Sequence, residues 1–483
     1  MKPIIWTIAG SDSGGGAGIQ ADLKTIQALG GHGCSIITAL TAQNTRQVRA
    51  VEITSPFFFS EQWDALWEDL PPRAIKIGMI ATARMASDLA RRIETVKVPV
   101  ILDPVLVASS GNRLADNEVA QVIKERLLPL VSIVTPNLFE AEVLTGIRIS
   151  TPEDVAAASS ALLGWGAKSV LLKGGHQGGP DSVDDWTNRE HSFSLKTPRL
   201  EIDAHGTGCT LASAIATSLG QGLTYEDAGV VAKAFVTRSL RLAQKLGSGF
   251  PILNFSPMYE AFNAQDFPTL HSPQLRYPAE PFAALNKSEI GFYPIVDSSE
   301  WVSRLSDWGV SCIQLRIKDL PRLEIENEIQ AAIQIAHAKN IKLFINDFWE
   351  FALKHGAYGV HLGQEDLLHA DLPALQRAGL RLGISSHCYS EMALAKSLQP
   401  SYVAIGPIYP TTLKTMKFNP LGPATLKNWR RHFTCPVVAI GGIDREKAKV
   451  ILQGGADAIS VVSDITRASD PEPRVREWLR LWP

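Results

Sequence analysis

Cysteine is scarce here: Cys34, Cys209, Cys312, Cys388 and Cys435 are scattered over 483 residues with no CxxC spacing. That excludes a disulfide framework and a cysteine-based zinc site, and it fits a reducing compartment. A block of basic residues is missing too, and the formal net charge is only -2. Nothing therefore points to nucleic acid or to an anionic membrane surface. No apolar run reaches the length needed to cross a bilayer, and residues 1–10 pass directly into a glycine loop. No signal peptide or membrane anchor is expected, and the location expected is cytoplasmic. Small neutral or anionic molecules are the expected partners, with a homo-oligomer left open.

What the chain does have is length, 45% hydrophobic residues and 37 glycines. A single core rarely organises so many residues, so two domains are expected. The least patterned stretch is 264–289, broken by Pro268, Pro273, Pro278 and Pro281. The spacing predicts a first domain over 1–265, a linker over 266–288 and a second domain over 289–483. In the first, short β-branched runs at 4–8, 100–102, 133–134 and 169–172 alternate with longer amphipathic segments, an α/β pattern. In the second, eight comparable runs begin near residues 292, 312, 343, 359, 382, 402, 437 and 458, most of them separated by helix-length spacers. Eight such units predict a (β/α)8 barrel.

A barrel enzyme carries its chemistry at the carboxyl ends of its strands. Polar residues gather at those positions: Gln314, Arg316 and Lys318, then Asn346 and Asp347, Gln364 and Asp366, Ser385, Lys414, and the pair Gly441 and Gly442. Singly, each reads equally well as a solvated loop residue or a tight turn. Six successive strand ends so equipped argue for a site. Arg316, Lys318 and Lys414 suit a diphosphate, while Asp347 and Asp366 are hard oxygen donors suited to Mg²⁺. Gly441, with Val462 and Ser463 after the eighth strand, has the position of a barrel phosphate site.

The first domain opens with a strand and then the glycine loop 9–18, which lacks the GKS or GKT of a P-loop. A second glycine segment, Gly206, Thr207, Gly208 and Cys209, precedes a small-residue helix. Backbone N–H groups there form an anion hole, and a thiol at a helix start is expected to have a lowered pKa, making Cys209 a candidate base. A plain buried thiol is the other reading. Asn137 with Glu140, and Lys173, stand after two further strands.

The motifs QLRIK (314–318), IND (345–347), HLGQED (361–366), GIS (383–385), GPIYPTTLK (406–414) and AIGGI (439–443) resemble thiamine phosphate synthase over the whole second domain. The resemblance implies that hydroxymethylpyrimidine diphosphate is bound by Gln314, Leu315, Arg316, Ile317, Lys318, Asn346, Ser385 and Lys414. It implies Mg²⁺ on Asp347 and Asp366, and thiazole phosphate on Thr411, Thr412, Leu413, Gly441, Val462 and Ser463. Leu413 departs from the usual hydroxyl residue.

AGSDSGGGAGIQADLKT (9–25), TAQNT (41–45), IGM (77–79), DPV (103–105), TPN (135–137), KGGH (173–176) and GTGCT (206–210) resemble hydroxymethylpyrimidine and hydroxymethylpyrimidine phosphate kinase, a ribokinase-like family. That implies ATP as co-substrate, with Asn137, Glu140 and Lys173 on the ATP and metal side. It implies pyrimidine contacts from Gln43, Gly10, Asp12 and Met79, and catalysis by Cys209, with Gly206 and Gly208 in the anion hole. Whether Cys209 or Asp22 moves the proton stays open, and Ser109 departs from the expected Lys or Thr. Together the halves imply two phosphorylations followed by condensation with thiazole phosphate. The alternatives are a pyridoxal-type kinase for the first half, disfavoured by Gln43 and the GTGC motif, and a thiazole tautomerase-like or inactive regulatory barrel for the second.

Overall fold

Runs of valine, isoleucine and leucine that can be buried on both faces form parallel strands, and both halves of the chain are built on them. The computed structural model describes residues 2–106, 117–175, 178–257, 263–411 and 418–482. It divides into two compact units, Met1–Ser272 and Pro273–Pro483.

The first unit holds a ten-stranded sheet of β1 (Ile4–Asp12), β2 (His32–Gln43), β3 (Val48–Ile53), β4 (Ala74–Ile77), β5 (Val100–Leu102), β6 (Ile133–Val134), β7 (Ser169–Lys173), β8 (Asp181–Asn188), β9 (Ser192–Pro198) and β10 (Thr269–His271). Their order is β10-β9-β8-β7-β6-β5-β4-β1-β2-β3. The centre is parallel and both flanks are antiparallel. All four runs expected as strands lie in this sheet. Its parallel strands end on one edge, so the loops after β1, β5, β6 and β7 and the helix Thr207–Gly220 can share one cavity.

The stretch expected as a linker does not run free. Thr269–His271 pairs antiparallel with β9, and Arg241 holds Asp266 at 2.6 Å. Further on, Phe282 and Leu285 are buried in the second unit. Prolines mask the pattern in sequence, because they interrupt any helical or alternating period without stopping short segments from docking on what they meet.

The second unit closes into a parallel barrel of β11 (Phe292–Val296), β12 (Cys312–Leu315), β13 (Lys342–Asn346), β14 (Gly359–Leu362), β15 (Arg381–Ser386), β16 (Tyr402–Ile405), β17 (Val437–Ile440) and β18 (Ala458–Val461). Pairing of β18 with β11 completes the eight expected units and leaves no free strand edge. Inside, Tyr293, Phe344 and Tyr402 meet edge to face, with centroids 5.1 to 5.8 Å apart. Such contacts add roughly 0.5–1.5 kcal/mol each beyond their buried area. The ring of Tyr402 fits because Gly383 faces it: a Cβ on Gly383 would collide with that ring.

Candidate active sites

In the first unit a cavity of about 790 Å³ lies at the carboxyl edge of the parallel strands. Gly10, Asp12, Gln43 and Met79 line one part of it, and Asn137, Glu140 and Lys173 another. Gly206, Gly208 and Cys209 line it as well, so the cavity brings together every kinase-half candidate except Asp22.

Local sequence explains this placement. Gly206 caps the helix Thr207–Gly220 with φ 86, and a Cβ there would strike the carbonyl oxygen of Gly16. The helix start is thus packed against the first glycine loop, which in turn wraps Asp12: its carboxylate accepts backbone N–H bonds from Gly14, Gly16 and Ala17 at 2.8 to 3.0 Å. Asn137 and Glu140 form a reciprocal capping box that fixes Glu140 at the mouth of the helix Leu138–Thr145. Gln43 bonds to the ring of His205, whose burial lowers its pKa and keeps it neutral.

Sequence reasoning missed Asp103 and Lys76. Lys173 donates to Asp103 at 2.7 Å and lies 3.8 Å from Glu140, so one cation sits between two carboxylates. Burial pushes Glu140 up to about 7, an effect that Lys173 opposes and Asp103 reinforces. A Cβ on Gly208 would stand 3.1 Å from the Lys173 ammonium, which places the helix start beside this group.

Two expectations change. Burial pushes the Cys209 thiol up to about 11, overriding the nearby Lys76 cation and an N–H bond from Gly18, where a lowered pKa was expected from the helix start alone. Asp22 does not open to the cavity. It is fully buried, accepting from Lys76 (2.8 Å), Thr7 (2.6 Å) and Ser213 (2.7 Å), so its carboxylate is already saturated. Ser109 and His176 lie outside the described residues.

In the barrel, the parallel arrangement brings the expected residues to one rim. Gln314 and Leu315 end β12 and are buried, as is Ile317, while Arg316 is half-buried between them. Lys318 reaches across to Asp347 at 2.9 Å. Asn346 ends β13, and Asp347 follows with φ 65, a left-handed turn uncommon for a residue with a side chain. Asp366 accepts from the Gly363 N–H at 3.2 Å; burial and the neighbouring Asp347 charge raise its pKa. Two facing carboxylates that repel, with a lysine beside them, would suit a divalent ion whose other ligands came from a bound substrate and water. Among the described residues no group of three or more His, Cys, Asp or Glu could hold a metal without such help.

Ser385 lies on β15 and bonds to His361 at 2.9 Å, and Gln364 donates to its carbonyl oxygen at 2.7 Å. Gly441, with φ 98, follows β17, and its carbonyl accepts from Tyr409 in the loop after β16. Val462 and Ser463 follow β18, beside it at the same rim. Thr411 closes the described part of the β16 loop, and Thr412, Leu413 and Lys414 lie outside the described residues. Below the rim, Tyr293, Tyr402 and His361 form a buried polar cluster. Burial holds the His361 pKa down to about 4, so its ring is neutral.

Comparison with known proteins agrees with this division. The phosphomethylpyrimidine kinase family matches residues 12–254, and the thiamine monophosphate synthase family matches residues 292–465. The thiamine biosynthetic bifunctional enzyme of Arabidopsis thaliana, a chloroplastic protein, is 33% identical over 486 residues, spanning 97% of this chain and 90% of its own. The thiamine-phosphate synthase of Photorhabdus laumondii is 53% identical over 196 residues, covering 40% of this chain and 89% of its own. Among solved structures, a pyridoxal kinase from Staphylococcus aureus in complex with pyridoxal superposes with a TM-score of 0.52 at 28% identity, over 56% of this chain and 99% of that one. The first unit thus has the ribokinase-like fold, and the tautomerase-like or inactive barrel is not favoured.

Proposed function

Because the chain belongs to the bifunctional thiamine biosynthetic enzymes, which join hydroxymethylpyrimidine and phosphomethylpyrimidine kinase to thiamine phosphate synthase, we propose that Cys209 and Asp347 mark its two separate reaction centres. Both activities belong to the one chain. The division of residues between them is our reading.

In the kinase centre, Gln43, Gly10, Asp12 and Met79 hold the pyrimidine, and Asn137, Glu140 and Lys173 face ATP. The observation that carries this is the meeting, in one cavity, of the Gly206 turn, Cys209 and the Lys173–Asp103 pair. Lys173 neutralises phosphate charge, and the backbone N–H groups of residues 206–209 stabilise the transferring phosphoryl group. A thiol held near 11 is not an ionised base at neutral pH. Its part is therefore to hold the substrate hydroxyl in line with the transferring phosphoryl group, and the hydroxyl proton passes late to a phosphoryl oxygen, as a loose phosphoryl-transfer transition state allows.

In the synthase centre, Gln314, Leu315, Arg316, Ile317, Asn346, Ser385 and Lys414 hold the pyrimidine diphosphate. Asp347 and Asp366 would hold Mg²⁺, which when bound offsets charge on the diphosphate. Arg316 and Lys318 pull on the departing diphosphate, so the bond from the pyrimidine methylene to oxygen breaks without a protein nucleophile. Thr411, Gly441, Val462 and Ser463, with Thr412 and the Leu413 backbone, hold thiazole phosphate so that its ring nitrogen captures the cation.

We place the protein in the cytoplasm, a reading supported by its five free cysteines. The assignment as a whole is tested by giving purified protein hydroxymethylpyrimidine, ATP, Mg²⁺ and thiazole phosphate. Thiamine phosphate detected by mass is expected, and its absence from folded protein would refute the assignment.

A further inference from the structure

A hydrogen-bonded chain runs through the barrel interior to the rim. Gln314 Nε2 donates to the Tyr293 hydroxyl at 3.1 Å, the Tyr293 and Tyr402 hydroxyls are 2.7 Å apart, and the Tyr402 hydroxyl is 2.7 Å from His361 Nδ1. His361 Nε2 is then 2.9 Å from Ser385 Oγ. Tyr293, Tyr402 and His361 are all at least 95% buried, and the His361 and Tyr402 rings stack with centroids 5.6 Å apart.

The proton positions along this chain follow from its first link. Since the Tyr293 oxygen accepts from Gln314, the Tyr293 proton is directed to Tyr402, and the Tyr402 proton to His361 Nδ1. A neutral imidazole with an accepting Nδ1 carries its proton on Nε2 and donates it to Ser385. Ser385, having accepted, has its own proton free to donate toward the rim. Gln314, whose amide nitrogen is directed at the Tyr293 and Tyr402 hydroxyls, has its carbonyl oxygen left to accept.

We infer that Tyr293, Tyr402 and His361 are positioning residues that set the hydrogen-bonding polarity of the pyrimidine pocket, making Ser385 a donor and Gln314 an acceptor. That polarity matches a ring nitrogen beside an exocyclic amine, the edge of a 4-aminopyrimidine. It opposes a 4-oxo ring, whose N–H and carbonyl reverse both bonds. The inference rests on the reading that Gln314 and Ser385 hold the pyrimidine. Buried tyrosine hydroxyls here do more than fill the barrel, because a core needing only volume would tolerate phenylalanine at both positions.

The test is Tyr402→Phe in the full-length protein, which keeps the ring and removes the donor to His361. The synthase reaction is followed with the 4-amino pyrimidine diphosphate and with its 4-oxo analogue. The preference for the amino substrate, as a ratio of kcat/KM, is expected to fall about tenfold, chiefly through a higher KM for the amino form, the scale of one hydrogen bond. Tyr293→Phe, which leaves the Tyr402 hydroxyl on His361, is expected to change the ratio less. Independently of any variant's folding, ¹⁵N NMR of wild-type His361 should show a bare Nδ1 and a protonated Nε2. A protonated Nδ1 in the wild type, or an unchanged ratio in folded Tyr402→Phe, overturns the inference. If Gln314→Ala and Ser385→Ala leave the KM for pyrimidine diphosphate unchanged, the underlying site reading fails instead, whatever the tautomer.

Discussion

Lys76 and Asp22 form an ion pair of 2.8 Å from which solvent is fully excluded. Burial works against the Lys76 cation, but Asp22, Cys209 and Asp103 more than offset it and raise its pKa. The pair lies in the electrostatic reach of Cys209, so it supports the kinase centre from beneath. Removing one partner leaves the other as an uncompensated buried charge. Lys76→Met is expected to cost about 3–5 kcal/mol, and Asp22→Asn added to it should recover part of that loss. Calorimetry should show the transition of one unit moving down while the other stays.

Cys209→Ala should lower the kinase rate by about 10²-fold, the scale of a lost positioning contact at the reacting hydroxyl. Because the barrel residues are untouched, supplied pyrimidine diphosphate should restore thiamine phosphate formation. The check is product mass with and without that supplement.

Glu140 is expected to make the kinase sensitive to pH near neutrality. With its carboxyl pushed up to about 7, it loses charge as pH falls from 8 to 6. KM for MgATP is expected to rise over that interval, and Glu140→Gln should show the higher KM throughout without the inflection. Stability runs the other way: the folded pKa of Glu140 lies above the unfolded value, so wild-type stability declines as pH rises toward 7, and the glutamine variant lacks that decline. Steady-state kinetics and thermal unfolding across pH measure the two effects.

Asp347→Asn should stop the synthase, by about 10²-fold or more, with pyrimidine diphosphate accumulating. Removal of its charge also removes one cause of the raised Asp366 pKa, so the Asp366 carboxyl should titrate at lower pH in the variant. Carboxyl ¹³C NMR without metal reads the shift.

Much of this architecture was legible because its signals are local. The eight barrel runs are short, apolar and bounded by turns, and a parallel barrel forces whatever follows each strand onto one rim, so Gln314, Asp347, Asp366 and Ser385 could be grouped without knowing the fold in detail. The glycines around Cys209 were legible for the same reason. What stayed hidden depends on partners distant in sequence. Lys76 sits inside a buried apolar strand and makes sense only beside Asp22, 54 residues away. Asp103 needed Lys173, 70 residues on. Tyr293 and Tyr402 lie in apolar strand runs, and their link to His361 exists only once the barrel closes. The Cys209 thiol was misread because a helix start lowers a pKa while enclosure raises it, and enclosure is set by the tertiary fold.

Each centre is expected to work within its own set of residues, with the diphosphate passing from one to the other. Mixing Cys209→Ala and Asp347→Asn chains tests it most directly. Each alone should make almost no thiamine phosphate from hydroxymethylpyrimidine, ATP, Mg²⁺ and thiazole phosphate. Together they should make it readily, because one supplies the diphosphate that the other consumes. A mixture as inactive as its parts, with both chains folded, would contradict the account.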